Sequence, residues 1–192
     1  MRAHILVFLI VSILTVNLKA GDFHNTGIKI GYNHSTISGN NLPGKTVFGI
    51  PGFSIGGYYS YRFNERFSLK QELLLATKGC IINTVGDINL YNIFVYLEIP
   101  VLAQITLKPH NKLNPIIYCG PAISNKIVSL NFVGIVENVR KVDCGLIFGA
   151  GIEYWKLSLD LRFNRSLIDF DLSDEKNVLK NQSVSVLAGF SF

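Results

Sequence analysis

The side chains best suited to metal binding, redox chemistry or nucleophilic catalysis are few and widely separated in this sequence. Its three cysteines form no CxxC pair, and no HExxH motif is present. His24, His34 and His110 lack the spacing of metal ligands. No combination of serine, histidine and aspartate stands out as a catalytic triad. We therefore predict no catalytic, cofactor-binding or metal-binding residues, and no enzymatic activity.

One acidic stretch, DFDLSDE at residues 169–175, offers the oxygen ligands that calcium prefers. It lacks the glycine and the closing glutamate of a calcium-binding loop. A solvated acidic loop is therefore favoured over a cation site.

A larger set of charged residues occurs at alternating positions within strand-like segments. Buried charges persist in proteins only when they are paired. Four members of the set are basic and five are acidic, so on one enclosed face they would nearly neutralise each other. This balance predicts structural ion pairs rather than a conducting pore or a catalytic dyad. The set consists of Lys29, Arg62, Lys70, Glu72, Glu98, Asp143, Glu153, Asp160 and Arg162.

The segments that must position these charges alternate between apolar and polar residues. Leucine or phenylalanine occupies every odd position of 157–163, whereas serine, aspartate, arginine and asparagine occupy the even positions of 158–164. A period of two is typical of β-strands with one apolar face. No convincing amphipathic helix interrupts the pattern. We predict strands at 27–38, 52–63, 67–76, 91–107, 116–124, 142–154, 157–164 and 183–192.

The connections between these strands are alternately short and long. Short connections are predicted at 64–66, 108–114 and 155–156, and long ones at 39–47, 79–90, 125–141 and 168–182. An even number of strands with short turns at one rim and long loops at the other is typical of bacterial outer-membrane barrels. We predict an all-β protein of the cell outer membrane: an eight-stranded antiparallel up-and-down transmembrane β-barrel with a closed lumen filled by side chains.

The apolar face of the predicted barrel carries aromatic residues near strand ends, as the aromatic girdles of membrane barrels do. We therefore expect this face to contact lipid. The alternative is a soluble exported barrel, similar to lipocalins, that binds a small apolar ligand in its lumen. In that case Leu157, Leu159 and Leu161 would point inward.

The N-terminus has the layout of a secretory signal peptide over residues 1–20. Arg2 precedes an apolar run over 5–14, and a polar stretch ends at Ala20. The barrel domain is then predicted to span 21–192. The chain has a formal net charge of +5 but no run of lysine and arginine, so no nucleic-acid partner is predicted.

Several segments resemble the PorT-type outer-membrane β-barrel family of Bacteroidota-like bacteria. They are GIKIGYNHSTISG, RFSLKQELLLATKG, YLEIPVLAQI, YCGPAIS, DCGLIFGAGIEYWKLSLDLRFNRSL and the closing VLAGFSF. The similarity extends in order over essentially the whole of 21–192, and YLEIP and CGP are its most specific pieces. The resemblance implies an integral outer-membrane barrel with a non-enzymatic structural or interaction role. It also implies a link to the secretion or maturation of exported proteins.

The partners implied are outer-membrane lipid, the barrel-assembly machinery and a protein bound through the long loops. Phe192 ends an alternating strand, and an aromatic last residue resembles the signal by which outer-membrane barrels are recognised for assembly.

Cys119 and Cys144 flank the predicted loop 125–141 on neighbouring antiparallel strands. If this hairpin is centred near residues 131–132, the two cysteines lie nearly opposite each other, within reach of a disulfide. The alternative is that both remain unpaired and act as small apolar residues.

Overall fold

The computed structural model describes residues 24–39, 46–84, 88–109, 111–132, 140–168 and 179–192. The predicted signal peptide and the acidic stretch 169–175 lie outside these residues.

The chain forms a closed antiparallel barrel of eight strands, which confirms the predicted fold class. Each strand pairs with its neighbours in sequence, and β1 pairs with β8 to close the sheet. The strands are β1 (His24–Gly39), β2 (Thr46–Arg62), β3 (Phe67–Thr84), β4 (Ile88–Thr106), β5 (Leu113–Phe132), β6 (Val142–Tyr154), β7 (Leu157–Ser166) and β8 (Leu179–Ser191). In the described part of the chain, no helix is long and apolar enough to cross a membrane.

The alternation of the sequence sorts the side chains of each strand between the lumen and the exterior. On β7, Leu159, Leu161 and Phe163 are exposed, whereas Asp160 and Arg162 between them are buried. The apolar face therefore lies outside and the polar face inside. This is the reverse of the arrangement in a soluble barrel.

Short turns join the strands at the rim that also carries both ends of the barrel. Between β2 and β3, the side-chain oxygen of Asn64 accepts hydrogen bonds from the backbone N–H groups of Arg66 at 2.9 Å and Phe67 at 2.8 Å. Between β6 and β7, Trp155 has a φ angle of 52°, the left-handed conformation that a two-residue hairpin turn requires.

Several strands are longer than the sequence predicts. β3 and β5 continue to Thr84 and Phe132, and β4 already begins at Ile88. Most of the predicted loop 79–90 and the first part of the predicted loop 125–141, residues 125–132, are therefore strand. The alternation fades here because both faces contact water: Ile127, Val128 and Ser129 are all exposed.

The additional length lies at the rim opposite the short turns. A membrane-spanning strand needs about 9–11 residues, whereas β2 to β5 contain 17, 18, 19 and 20 residues. β6, β7 and β8 have only 13, 10 and 13 residues. Four strands thus project beyond the membrane on one side of the barrel. We call residues 46–49, 81–84, 88–93 and 127–132 the outer extension.

Candidate functional site: a lumen closed by ion pairs

A compact network of charges fills the lumen on the side nearer the short turns. The Lys29 Nζ atom donates to Glu72 Oε1 at 2.8 Å and to Asp160 Oδ2 at 2.5 Å. Arg162 Nη2 lies 2.8 Å from Glu72 Oε2. All four side chains are almost completely buried. The network joins β1, β3 and β7, so it links strands that are not neighbours in the sheet. We call it the lower layer.

Two inward-facing tyrosines, Tyr58 and Tyr118, contact the cations of the lumen. The Arg162 guanidinium lies 5.4 Å from the centre of the Tyr118 ring, and its Nε donates to the Tyr118 hydroxyl at 3.3 Å. Lys29 and Lys70 lie over the Tyr58 ring at 5.6 and 5.1 Å. These tyrosines were not among the predicted lumen residues. Their even positions on β2 and β5 were the signal that could have identified them.

Lys70 and Glu153 form a looser pair near the short-turn rim. Lys70 Nζ lies 3.4 Å from Glu153 Oε1, which also accepts a hydrogen bond from Gln104 Nε2 at 3.1 Å. The Glu153 side chain is 22% exposed. Water therefore screens this pair more than it screens the lower layer.

A second buried pair closes the lumen nearer the outer rim. Lys78 contacts Glu98, which also accepts a hydrogen bond from Ser124 Oγ at 3.3 Å. Lys78 lies 5.7 Å from the centre of the Tyr96 ring. We call Lys78 and Glu98 the upper pair. Lys78 was absent from the predicted set because the predicted strand ended at residue 76.

Two other members of the predicted set are placed differently from the buried network. The prediction that Arg62 lies in the lumen is wrong, because Arg62 is exposed at the end of β2. Its place in the alternation points inward, but it lies at the rim. Asp143 is half-buried at the opposite end of the barrel and accepts a hydrogen bond from Ser166 Oγ.

A small polar cavity separates the lower layer from the upper pair. It is lined by Lys78, Glu98 and Arg162 and by serine and asparagine side chains of β1, β2, β7 and β8. The buried Asn33 side chain lines it and donates to Ser54 Oγ at 2.9 Å, while its carbonyl oxygen has no protein partner. The space suits about one water molecule, which would supply the missing donor.

The exterior of the barrel is apolar, and its short-turn rim is aromatic. Leu157, Leu159 and Leu161 are 55%, 50% and 58% exposed. They point outward, so the lipocalin-like alternative is not favoured. Exposed aromatic side chains follow the short-turn rim, where the membrane interface of such barrels lies. These are Tyr61, Phe63, Phe67, Tyr154, Trp155, Phe190 and Phe192.

Of the two alternatives for Cys119 and Cys144, the structure agrees with unpaired cysteines and not with a disulfide. Cys119 lies opposite Phe148, and Cys144 lies opposite Ile123. This four-residue offset separates the two cysteines by roughly 13 Å along the strands, beyond disulfide reach. Cys80, Cys119 and Cys144 are all free thiols. Among the described residues, no three side chains of histidine, cysteine, aspartate or glutamate cluster as metal ligands would.

A closed barrel with an apolar exterior and a polar, ion-paired lumen defines an integral outer-membrane protein. The sequence matches the family model of the outer membrane protein beta-barrel domain over residues 17–172. The chain belongs to this family, and its location is the outer membrane. No curated protein sequence matches it significantly.

Solved structures of outer-membrane proteins have a similar fold. The outer membrane protein OprG from Pseudomonas aeruginosa shares 11% identity, with 92% of this chain and 99% of that chain covered and a TM-score of 0.56. Neisserial surface protein A (NspA) shares 13% identity, with 87% and 97% covered and a TM-score of 0.53. These similarities concern the fold alone.

Proposed function

We propose that the protein is a non-enzymatic outer-membrane barrel that acts through its outer extension and not through its lumen. The observation that carries this proposal is the buried network of Lys29, Glu72, Asp160 and Arg162, which occupies the section that a solute would have to cross. A barrel of eight strands has an interior just wide enough for its own side chains. The lumen is therefore a structural core.

The outer extension is the surface left for a partner. Phe48, Ile127 and Val128 are 52%, 55% and 42% exposed there. Large apolar side chains that are exposed outside the membrane can contribute to interaction sites. We place the extension and its loops outside the cell, as in barrels of this architecture, and infer that it binds a protein partner.

Conductance measurements test the closed lumen. The purified barrel in planar lipid bilayers is expected to give no large, stable single-channel currents. Such currents from correctly folded protein, verified by its heat-modifiable migration on a gel, would contradict the proposal.

Photo-crosslinking in intact cells tests the extension. A photoreactive residue at exposed Ser129 is expected to give a discrete crosslinked protein band, whereas one at lipid-facing Leu161 should give none. Equal crosslinking at both positions, or none at Ser129, would argue against a partner-binding extension.

We infer a more specific role from the resemblance to the PorT type, a link to the secretion or maturation of exported proteins. A deletion strain is expected to accumulate unprocessed exported proteins. The wild-type gene should restore processing, and a variant with a shortened β3–β4 hairpin should insert normally but fail to restore it. Normal processing in the deletion strain would overturn this role.

The proposal includes the route to the membrane. Residues 1–20 act as the signal peptide, and the assembly machinery recognises β8 together with Phe192, which directly follows it. Replacing Phe192 with serine is expected to lower the amount of inserted barrel several-fold, and Phe163→Ser on the lipid face of β7 is the matched control. An equal loss from both variants would contradict a recognition role.

A further inference from the structure

Two basic side chains lie on the outer face of the barrel at the loop ends of β7 and β8. Arg165 is exposed and lies opposite Gln182. Lys180 precedes Gln182 by two residues, so it lies on the same face and one step closer to the outer rim. Diagonal neighbours of this kind are about 7–8 Å apart across a sheet. The two cations can therefore approach one anionic group together.

An apolar strip lies directly below these cations on the same two strands. Phe163 pairs with Val184, and Leu161 pairs with Val186. Their side chains are 38%, 48%, 58% and 45% exposed. The outer face thus changes from apolar to cationic between one outward-facing cross-strand pair and the next. A lipid has the same order, with its phosphate above its acyl chains.

Among the described residues, the exterior cations differ from those of the lumen because no carboxylate pairs with them. Lys29, Lys78 and Arg162 contact buried carboxylates. Within the described ranges, neither Arg165 nor Lys180 forms an ion pair with a carboxylate.

More positive charge lies at the same rim. Arg140 and Lys141 precede β6 and are exposed. Among the described residues, Asp143 is the acidic residue nearest to them in sequence. It occupies a lumen-facing position of β6 and accepts a hydrogen bond from Ser166. The described part of this rim is therefore net positive on its exterior.

We propose that Arg165 and Lys180, supported by Arg140 and Lys141, form a binding site for the phosphate of an anionic membrane lipid, with its acyl chains against the apolar strip. Arginine can bind two phosphate oxygens at once, and lysine adds a point charge. An acidic protein segment would match the cations but would leave the apolar strip without a role. That the lipid belongs to the outer leaflet rests on the orientation proposed above.

Lipid titration of the delipidated barrel in neutral detergent tests the site. Native mass spectrometry would count bound phosphatidylglycerol, with phosphatidylcholine and inorganic phosphate as separate arms. We expect phosphatidylglycerol to be retained in preference to both. The double variant R165Q/K180Q should weaken its apparent affinity by at least about fivefold, because each basic residue near a membrane surface contributes measurably to anionic-lipid binding. R165K/K180R should retain it.

The matched control is K108Q/K112Q, which removes the same charge from exposed positions at the short-turn rim. It should leave the affinity within about twofold of the wild type.

An equal loss in both double variants would show that only net charge matters, and would overturn the site. No loss in R165Q/K180Q would also overturn it, and would indicate that these cations are neutralised by the protein's own acids. If inorganic phosphate binds as well as phosphatidylglycerol, the apolar strip contributes nothing to the affinity, and the proposed lipid site is overturned. The assay depends neither on the proposed orientation in the membrane nor on a protein partner. A negative result would therefore count against the lipid site and not against the proposed function.

Discussion

At the scale of single residues, Glu72 is the carboxylate on which the lower layer depends. It contacts Lys29 from β1 and Arg162 from β7, and neither cation is accessible to water. Removing one partner of a buried ion pair leaves an uncompensated charge in a medium of low dielectric constant. Glu153, whose carboxylate lies 3.4 Å from Lys70, is partly exposed and can be replaced by water.

Glu72→Gln should therefore cost much more stability than Glu153→Gln. We expect a loss of about 3–5 kcal/mol for Glu72→Gln. Glu153→Gln should cost less, about 1–2 kcal/mol, because Lys70 is buried but water can reach the partly exposed position of Glu153. Denaturant unfolding in lipid vesicles, followed by Trp155 fluorescence, measures both. Equal losses from the two variants would contradict the difference in burial on which the prediction rests.

The upper pair allows a double-mutant test. Glu98→Leu leaves the Lys78 ammonium group buried without its carboxylate, and should cost about 3–5 kcal/mol. Adding Lys78→Met removes the stranded charge and should recover most of that loss. The same unfolding assay applies, with Leu159→Ala on the lipid face as a control for a change outside the lumen. A double variant no more stable than Glu98→Leu would show that the two side chains are not coupled.

At the scale of elements, adjacent glycines on β2 show how closely the strands approach. A Cβ atom at Gly56 would lie 2.0 Å from the backbone oxygen of Leu73, whereas at Gly57 the nearest atom would be 3.4 Å away. Gly56→Ala must displace backbone and should destabilise the barrel by about 1–3 kcal/mol. Gly57→Ala should remain within about 0.5 kcal/mol of the wild type. Similar losses at both positions in the unfolding assay would disprove this asymmetry.

The register of β5 and β6 can be read out by crosslinking. In a background with Cys80 and Cys144 replaced by serine, Phe148→Cys places a thiol directly opposite Cys119. Mild oxidation should form an intramolecular disulfide in this variant. The control retains Cys144 instead, and its two thiols should remain free. A disulfide in the control would refute the register. So would a count of fewer than three free thiols in the denatured, unreduced wild type.

The sequence predicts the eight strands and their faces because lipid enforces strict alternation wherever a strand crosses the membrane. It does not predict the ends of β3 and β5, since water on both faces of the outer extension imposes no period. Lys78 was not assigned to the lumen because it lies two residues past the predicted end of β3, although it is buried. The pairing of Lys29 with Glu72 and Asp160 brings three non-adjacent strands together across the lumen, which alternation within each strand cannot specify. The sequence does not decide between paired and unpaired Cys119 and Cys144, because the centre of a long hairpin does not follow from the positions of its flanking strands.

At the scale of the whole molecule, the lumen is closed twice in series. The lower layer and the upper pair lie on opposite sides of the polar cavity that Asn33 and Ser54 line. Removing the upper pair should open the cavity to the outside while the lower layer, with Tyr58 and Tyr118 beside it, still blocks passage. Access to the cavity and conductance through the barrel should therefore respond differently to the same substitution.

The variant Lys78→Ala/Glu98→Ala is expected to remain non-conducting in planar bilayers because the lower layer is intact. In a background with the three native cysteines replaced by serine, a thiol introduced by Ser185→Cys lies in the cavity lining. A charged thiol reagent should label it several-fold faster once the upper pair is removed. The control is the protein with an intact upper pair. In it, Ser185→Cys and Leu187→Cys, which lines the same cavity, should both label slowly. Stable currents from the upper-pair variant would show that the lower layer does not seal the lumen. Fast labelling with the upper pair intact would show that the upper pair does not close the cavity.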